Sequence, residues 1–378
     1  MKHIVIDARL YGPKHTGLGR YTKNLLLSLK SLPDFNKYKF TLLVYPELRA
    51  EIEDDLGNNF NYLSTSLNHY SLKEQIFLPI LLMKLKADLV HFTHLDKCIF
   101  YPKKSVVTIH DLIRHFSKGP NTSTKNPLLY WPKYWGYLLM TQVILKTSHI
   151  IVPSNFWRDY IIKKYHFDSK NIITTYEAVD PEFLSASLNA KTSSLRAERS
   201  NLSTSNYLIY TGNLYPHKNI DVVLKALRKL PSIKLKIICA RSVFTNKIEK
   251  QIADCKLENQ VEFLGYVPDS EFKKIYSGAL ALVHPSFLEG FSLTGLEAMA
   301  LNCPVIAAKA SCLPEIYEDS VLYFDPNDPS SLIKQIVTLQ KSLKLRNKLI
   351  DLGHRQVSKY SWDKTAKKTL SFYQKIIN

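Results

Sequence analysis

Paired cysteines, long apolar runs and clustered charge are all missing from this chain of 378 residues, and each absence removes a class of protein. The five cysteines (Cys98, Cys239, Cys255, Cys303 and Cys312) are odd in number and widely spaced, with no C-x-x-C pair. That pattern supplies neither a disulfide framework nor a cysteine-built zinc site. Small and apolar neighbours suit buried thiols in a reducing compartment. No stretch approaches the ~20 apolar residues that span a bilayer, and the best, Ile76 to Leu82, is broken by Pro79. Met1-Lys2 runs straight into the strand-like His3–Leu10, which leaves no room for a signal peptide and predicts a cytoplasmic location. D-x-D is lacking, so chemistry without divalent metal is expected. His91 and His94 stand at metal-like spacing without an evident third ligand, and neither metal nor cofactor is predicted.

The formal charge is +18, from 51 basic and 33 acidic residues. The excess is the same in residues 1–180 as in 181–378, which argues against a nucleic-acid tract and predicts no nucleic-acid partner. A polyanionic ligand, an anionic membrane surface or a generally lysine-rich composition each accounts for it.

What is present is an alternation of short apolar strands and amphipathic helices, the pattern of doubly wound parallel sheets. In the first half the strands are His3–Leu10, Phe40–Tyr45, Asp88–Thr93, Ser105–Ile109, His149–Pro153 and Ile172–Tyr176, with helices such as Arg20–Leu32 and Phe156–Tyr165. The alternation stops at the serine- and asparagine-rich residues 185–206 and restarts at Tyr207. The second half reads as strands Tyr207–Thr211, Leu235–Cys239, Val261–Leu264, Ala279–Val283, Pro304–Ala307 and Val321–Phe324, then helices Ser330–Leu349 and Trp362–Ile377. At this length two domains are expected: 1–184 and 207–355 as Rossmann-like domains, 185–206 as a linker or inserted polar segment, and 356–378 as a C-terminal helix packing back on the first. A cleft between two such sheets is the default ligand site.

Four motifs sit at strand ends. Glu289 and Glu297 stand eight positions apart in Pro285-Ser286-Phe287-Leu288-Glu289-Gly290-Phe291-Ser292-Leu293-Thr294-Gly295-Leu296-Glu297, a loop after a buried strand leading into a helix that Ser292 is expected to cap. Thr211-Gly212-Asn213-Leu214-Tyr215-Pro216-His217-Lys218-Asn219 puts a lysine just before a helix N-terminus, a pairing of point charge and backbone donors that suits a diphosphate. Thr16-Gly17-Leu18-Gly19-Arg20-Tyr21 opens the first helix with glycines that let backbone approach a ligand; it lacks the rest of a dinucleotide fingerprint. In Thr108-Ile109-His110-Asp111-Leu112 a histidine ends a strand, with Asp111 beside it to hold its tautomer. A fifth stretch, Tyr130 to Leu139, packs aromatic rings around Lys133 and reads either as a core helix or as a membrane-facing one.

In spacing, flanks and order these motifs resemble the retaining glycosyltransferases of family 4 (glycosyl transferases group 1). The resemblance implies an α/β GT-B fold, two Rossmann-like doubly wound domains facing across a cleft, the first (1–184) on the acceptor side and the second (207–355) binding the nucleotide sugar. It also implies transfer of a hexose, mannose favoured, from a nucleotide sugar to a growing, lipid-linked cell-surface glycan such as an O-antigen. GDP-mannose is the favoured donor with UDP-hexose the alternative, the acceptor is a glycan or a polyprenyl-linked one, and the work is done at the cytoplasmic face of the inner membrane through peripheral contact with anionic lipid. Carried over residue by residue, Gly17, Gly19, Gly212, Asn213, Lys218, Glu289, Gly290, Phe291, Ser292 and Glu297 would bind the donor. His110, Lys218 and Glu289 would be catalytic, and Arg20 and Asp111 would either serve the acceptor side or support the groups that touch substrate. One departure is Asn213, where many members have arginine; Arg241 or Arg20 would have to supply that charge. Sugar-nucleotide epimerases share the two-domain plan and stay open as an alternative, as does a non-enzymatic polyanion binder.

Overall fold

The computed structural model describes residues 1–119, 122, 127–183, 206–239 and 242–378. Nearly all of the expected linker, and Arg241, lie outside the described residues. The chain divides into two compact units: Met1–Leu112, Leu128–Glu177 and Ser361–Asn378 form the first, Ile113–Pro127 and Ala178–Tyr360 the second.

Seven parallel strands build the first unit: β1 (Lys2–Asp7), β2 (Tyr38–Val44), β3 (Asn61–Ser64), β4 (Leu89–Phe92), β5 (Ser105–Thr108), β6 (His149–Val152) and β7 (Ile172–Thr174). Their order is β3-β2-β1-β4-β5-β6-β7. Ile4 of β1 lies opposite Phe40 of β2 on one side and Leu89 of β4 on the other. Both faces of these strands are covered, so their sequences run apolar rather than alternating. The chain leaves β1 for one side of the sheet and later returns to its other side at β4. Such a reversal is where open α/β sheets gather ligands, at the carboxyl ends of the strands.

The second unit repeats the plan with β8 (Tyr207–Thr211), β9 (Lys234–Ile238), β10 (Val261–Phe263), β11 (Ala281–His284), β12 (Val305–Ala308) and β13 (Leu322–Phe324). Their order, β10-β9-β8-β11-β12-β13, is again parallel, with the reversal between β8 and β11. The loops that leave those two strands carry Lys218 and Glu289.

Several elements depart from the sequence reading. One helix was expected over Ser330–Leu349; two are present, Pro329–Gln340 and Leu343–Ser358. Ser342 breaks the run because its hydroxyl accepts the Leu345 N–H at 3.1 Å and starts a new helix. The edge strand β3 and the helix Leu72–Lys84 were not anticipated. That helix keeps Pro79 inside it, a residue read as a breaker. The aromatic stretch is part of the helix Pro127–Thr147. Tyr134 is buried there, whereas Trp131 and Trp135 are 47% and 64% exposed, so it is not simply a core helix. Among the described residues no helix is long and apolar enough to cross a membrane.

The last helix, Trp362–Ile377, belongs to the first unit. Its Tyr373 hydroxyl meets Nδ1 of His91, whose Nε2 lies 2.8 Å from Thr108 Oγ1. Burial drives the His91 imidazole down to about 3, so it stays neutral. His91 ties the final helix to the sheet.

Candidate functional site

The Pro285-to-Glu297 loop leaves β11 and turns into the helix Leu293–Ala300. Glu289 is buried, and both its carboxylate oxygens lie 2.8 Å from Lys218 Nζ. His284, the last residue of β11, approaches Oε1 at 2.8 Å with Nε2, and the Glu289 N–H donates to Ser311 Oγ. Burial alone would raise the Glu289 carboxyl, but the Lys218 ammonium and the His284 contact outweigh it and hold the group well below the usual carboxylate range. Glu289 is therefore an anion at every physiological pH.

Ser292 does not cap the helix as expected. Its φ of 85° is left-handed and no capping bond forms, because a capping hydroxyl reaches the first-turn amides only from extended backbone. Its Oγ meets His284 Nδ1 at 3.1 Å and the Tyr317 hydroxyl at 2.5 Å. Tyr317 supplies the missing acceptor: its hydroxyl takes the Gly295 N–H at 3.1 Å and donates to the Ser292 carbonyl. A Cβ on Gly295 would stand 2.2 Å from that hydroxyl, so glycine is required here. His284 and Tyr317 were not singled out from the sequence. The only signal for His284 was its place at a strand end beside Pro285; nothing marked Tyr317, which arrives from a separate helix, Leu313–Tyr317.

The lysine loop leaves β8 through Gly212, whose φ of +135° few side chains tolerate. Lys218 closes a tight turn, its N–H donating to the Tyr215 carbonyl, ahead of the helix Ile220–Leu227. Asn219 stitches the loops together: its side-chain amide donates to the carbonyls of Pro285 and Pro326. Asn213 turns its side chain to its own turn, with Oδ1 accepting from the Tyr215 N–H at 3.4 Å, while its carbonyl accepts from the Tyr210 hydroxyl. Phe291 is packed edge-on against Tyr360 at 5.5 Å and is a wall of the loop. Glu297 is buried on its helix, close enough to Tyr276 for its charge, added to the larger effect of burial, to push that phenol upward. Tyr276 bonds Thr211 at the end of β8, so both glutamates face the β8–β11 reversal from one short helix-loop.

In the first unit His110 is held differently from the expectation. Its Nδ1 lies 3.2 Å from Glu177 Oε1 and its Nε2 2.9 Å from the Thr93 carbonyl. Both partners only accept, so both ring nitrogens must carry protons. Burial lowers the imidazole, yet the bond to Glu177 and its charge prevail and the net shift is upward. Glu177 holds the imidazole directly, and the Asp111 charge shifts it in the same direction. Glu177 stands 67 positions along the chain from His110, so no local pattern pairs them. His110 also packs edge-on against Tyr21, with centroids 4.6 Å apart. Gly19 has a packing reason to be glycine, since a Cβ would lie 1.9 Å from the Gly12 carbonyl; around Gly17 there is open space. Arg20, the fifth residue of the helix Thr16–Lys30, is half-buried. His94 does not pair with His91; it meets His69 and Asp96 instead.

Two family models match the two halves of this chain: one described as Glycosyltransferase Family 4 over residues 16–183, the other as Glycosyl transferases group 1 over 192–356. The chain belongs to the group 1 glycosyl transferases. It has the GT-B fold and is a hexosyltransferase. The O-antigen chain mannosyltransferase RfbU of Salmonella typhimurium is 25% identical over 374 residues, covering 95% of this chain and 96% of that protein. O-antigen chain mannosyltransferase B of Escherichia coli is 27% identical, covering 72% and 70%. Among solved structures, a glycosyltransferase from Rickettsia africae aligns over 100% of this chain and 99% of its own with a TM-score of 0.69 at 17% identity. WaaG, a glycosyltransferase involved in lipopolysaccharide biosynthesis, aligns over 97% and 98% with a TM-score of 0.71 at 13% identity.

Proposed function

We propose that this glycosyltransferase moves a mannosyl unit, with retention, from GDP-mannose to a lipid-linked glycan of a bacterial surface polysaccharide, working at the cytoplasmic membrane face. The observation that carries the donor half is the Lys218–Glu289 pair at the β8–β11 reversal, 2.8 Å at both oxygens. An ammonium has three N–H donors and Glu289 takes two, so an entering diphosphate competes for Lys218 while sugar hydroxyls take over the glutamate. As the glycosidic bond to phosphate breaks, charge grows on the leaving diphosphate; Lys218 and the amides of Gly290 and Phe291 stabilise it where it develops. Glu297 accepts from the ribose hydroxyls and Gly212 lets the phosphates approach the backbone, while in the first unit His110 as an imidazolium serves the incoming hydroxyl. No side chain is assigned as covalent nucleophile. The mannose and surface-glycan assignments rest on the names of the relatives RfbU and mannosyltransferase B.

The membrane half is supported by two helices of the first unit. Leu72–Lys84 exposes Leu72, Ile76, Phe77 and Ile80, each half exposed or more, and Pro127–Thr147 exposes Leu128, Trp131, Trp135 and Leu139. Rings and leucines on basic helices suit the headgroup zone of an anionic bilayer. The deciding experiment is a thermal-shift screen of nucleotide sugars followed by transfer to a polyprenyl-diphosphate glycan, since a ligand that binds only the native state raises the melting temperature. GDP-mannose should give the largest shift and anomeric retention in the product. A larger shift with UDP-hexoses overturns the donor, and free sugar-nucleotide isomer without acceptor points to an epimerase.

A further inference from the structure

A second polar cluster lies apart from the glutamate loop, at the carboxyl end of the first sheet. His69 comes from the loop after β3, and His94 and Asp96 from the loop after β4; His94 is 3% exposed and Asp96 fully buried. One ligand atom from each of the three falls within 4.8 Å of the others. His69 Nδ1 is 2.9 Å from Asp96 Oδ2, and the rings of His69 and His94 are 4.5 Å apart. Neither ring nitrogen of His94 is hydrogen-bonded to another protein group, nor is His69 Nε2. A buried imidazole with both ring nitrogens lacking a protein partner runs against the rule that buried polar groups are paired.

The surroundings hold the three groups in place. The Tyr70 N–H donates to Asp96 Oδ2 at 2.9 Å and to Glu74 Oε2 at 2.8 Å. The His69 N–H donates to the Tyr45 hydroxyl. Arg9, buried, bonds Asp7 and faces Glu74 at 2.6 Å. Glu74 and Asp96 also pair side chain to side chain, burial holding the Glu74 carboxyl up so that the two share a proton.

We propose that His69, His94 and Asp96 form a structural binding site for a borderline divalent cation of the zinc class. Two imidazoles and one carboxylate match that class, whereas magnesium and calcium demand oxygen-rich shells. A cation replaces the proton between His69 Nδ1 and Asp96, takes His94 as third ligand and completes its shell with water. The site is distinct from the glutamate loop and is independent of the donor assignment. It departs from the spacing-based pair of His91 and His94, because His91 is consumed by Tyr373 and Thr108.

The test is titration of the chelator-treated full chain with zinc chloride alone by calorimetry, with magnesium chloride as comparison and the melting temperature as a second readout. One zinc ion per chain at micromolar affinity or tighter is expected, with a rise in melting temperature and no response to magnesium. His94→Gln and Asp96→Asn should each weaken zinc at least about tenfold, while His166→Gln, at an exposed site, should change nothing. Affinity unchanged in the His94 and Asp96 variants, binding only at millimolar zinc, or equal response to magnesium overturns the proposal. Should the variants fail to fold, the visible spectrum of the cobalt-loaded wild type decides: a tetrahedral nitrogen–oxygen spectrum supports the site, and the spectrum of hydrated cobalt overturns it.

Discussion

At the scale of single residues, the site is governed by which charge compensates which. Glu289 is kept ionised by Lys218 and His284, so removing Lys218 leaves a buried carboxylate short of a partner. Lys218→Ala should lower the melting temperature, and adding Glu289→Gln should restore part of the loss, with a coupling of about 0.5–3 kcal/mol. Additive losses in a thermal double-mutant cycle would show that the pair is not coupled. The pH dependence has a definite sign. The carboxyl is depressed in the folded state, so its stabilisation is present above the unfolded value of about 4.3 and disappears as pH falls; Lys218→Ala should flatten that acid loss. His110 has the opposite sign. Its folded pKa is raised, chiefly against burial by Glu177, so its contribution is full below about 6.5 and declines as pH rises through the folded value. The stability gap between wild type and Glu177→Gln should therefore narrow from pH 6 to pH 9 in denaturant titrations. A gap that stays constant would mean that His110 is not an imidazolium.

At the scale of elements, the glutamate loop is kept in shape by a tyrosine from another helix. Tyr317→Phe removes the acceptor for the Gly295 N–H and the donor to the Ser292 carbonyl, and should cost about 1–2 kcal/mol, the size of a lost helix cap. Gly295→Ala should cost more, because its methyl meets the hydroxyl at 2.2 Å. Because that methyl would also stand 2.3 Å from the Tyr317 ring carbon Cζ, the double variant Tyr317→Ala with Gly295→Ala should cost less than the sum of the two single losses in thermal melts; additive losses would show that the clash is not with Tyr317. This contact also marks the limit of what sequence discloses. Parallel sheets, the strand-end position of Glu289 and the placement of Lys218 before a helix were legible, because apolar period and turn residues are local signals. Tyr317, His284 and Glu177 were not, since each matters through a partner chosen by tertiary packing. Ser292 misled for a related reason: its residue type favours a cap, but its left-handed backbone points the hydroxyl elsewhere. The helix break at Ser342 was a local signal that went unread beneath a continuous apolar period.

At the scale of the whole molecule, the chain order and the units disagree: the last helix belongs with the first sheet, not with the sheet that precedes it. Along Trp362–Ile377 the side chains of Trp362, Leu370, Phe372, Tyr373, Ile376 and Ile377 are buried. The Thr365 hydroxyl bonds the Tyr176 carbonyl, and Tyr373 bonds His91. Each large apolar side chain contributes roughly 1.5–3 kcal/mol on burial. Six of them together rival the whole stability of a typical domain, about 5–15 kcal/mol. Ending the chain after Tyr360 should therefore unfold or loosen the first unit while leaving the second nearly intact, since the deleted residues contribute nothing to its sheet. Deuterium uptake should rise in β1, β4 and β5, with β8, β11 and β12 little changed. Nucleotide-sugar binding, assigned to the second unit, should persist when transfer is lost. Equal uptake in both sheets, or donor binding lost together with transfer, would show that the two units do not hold their stability separately.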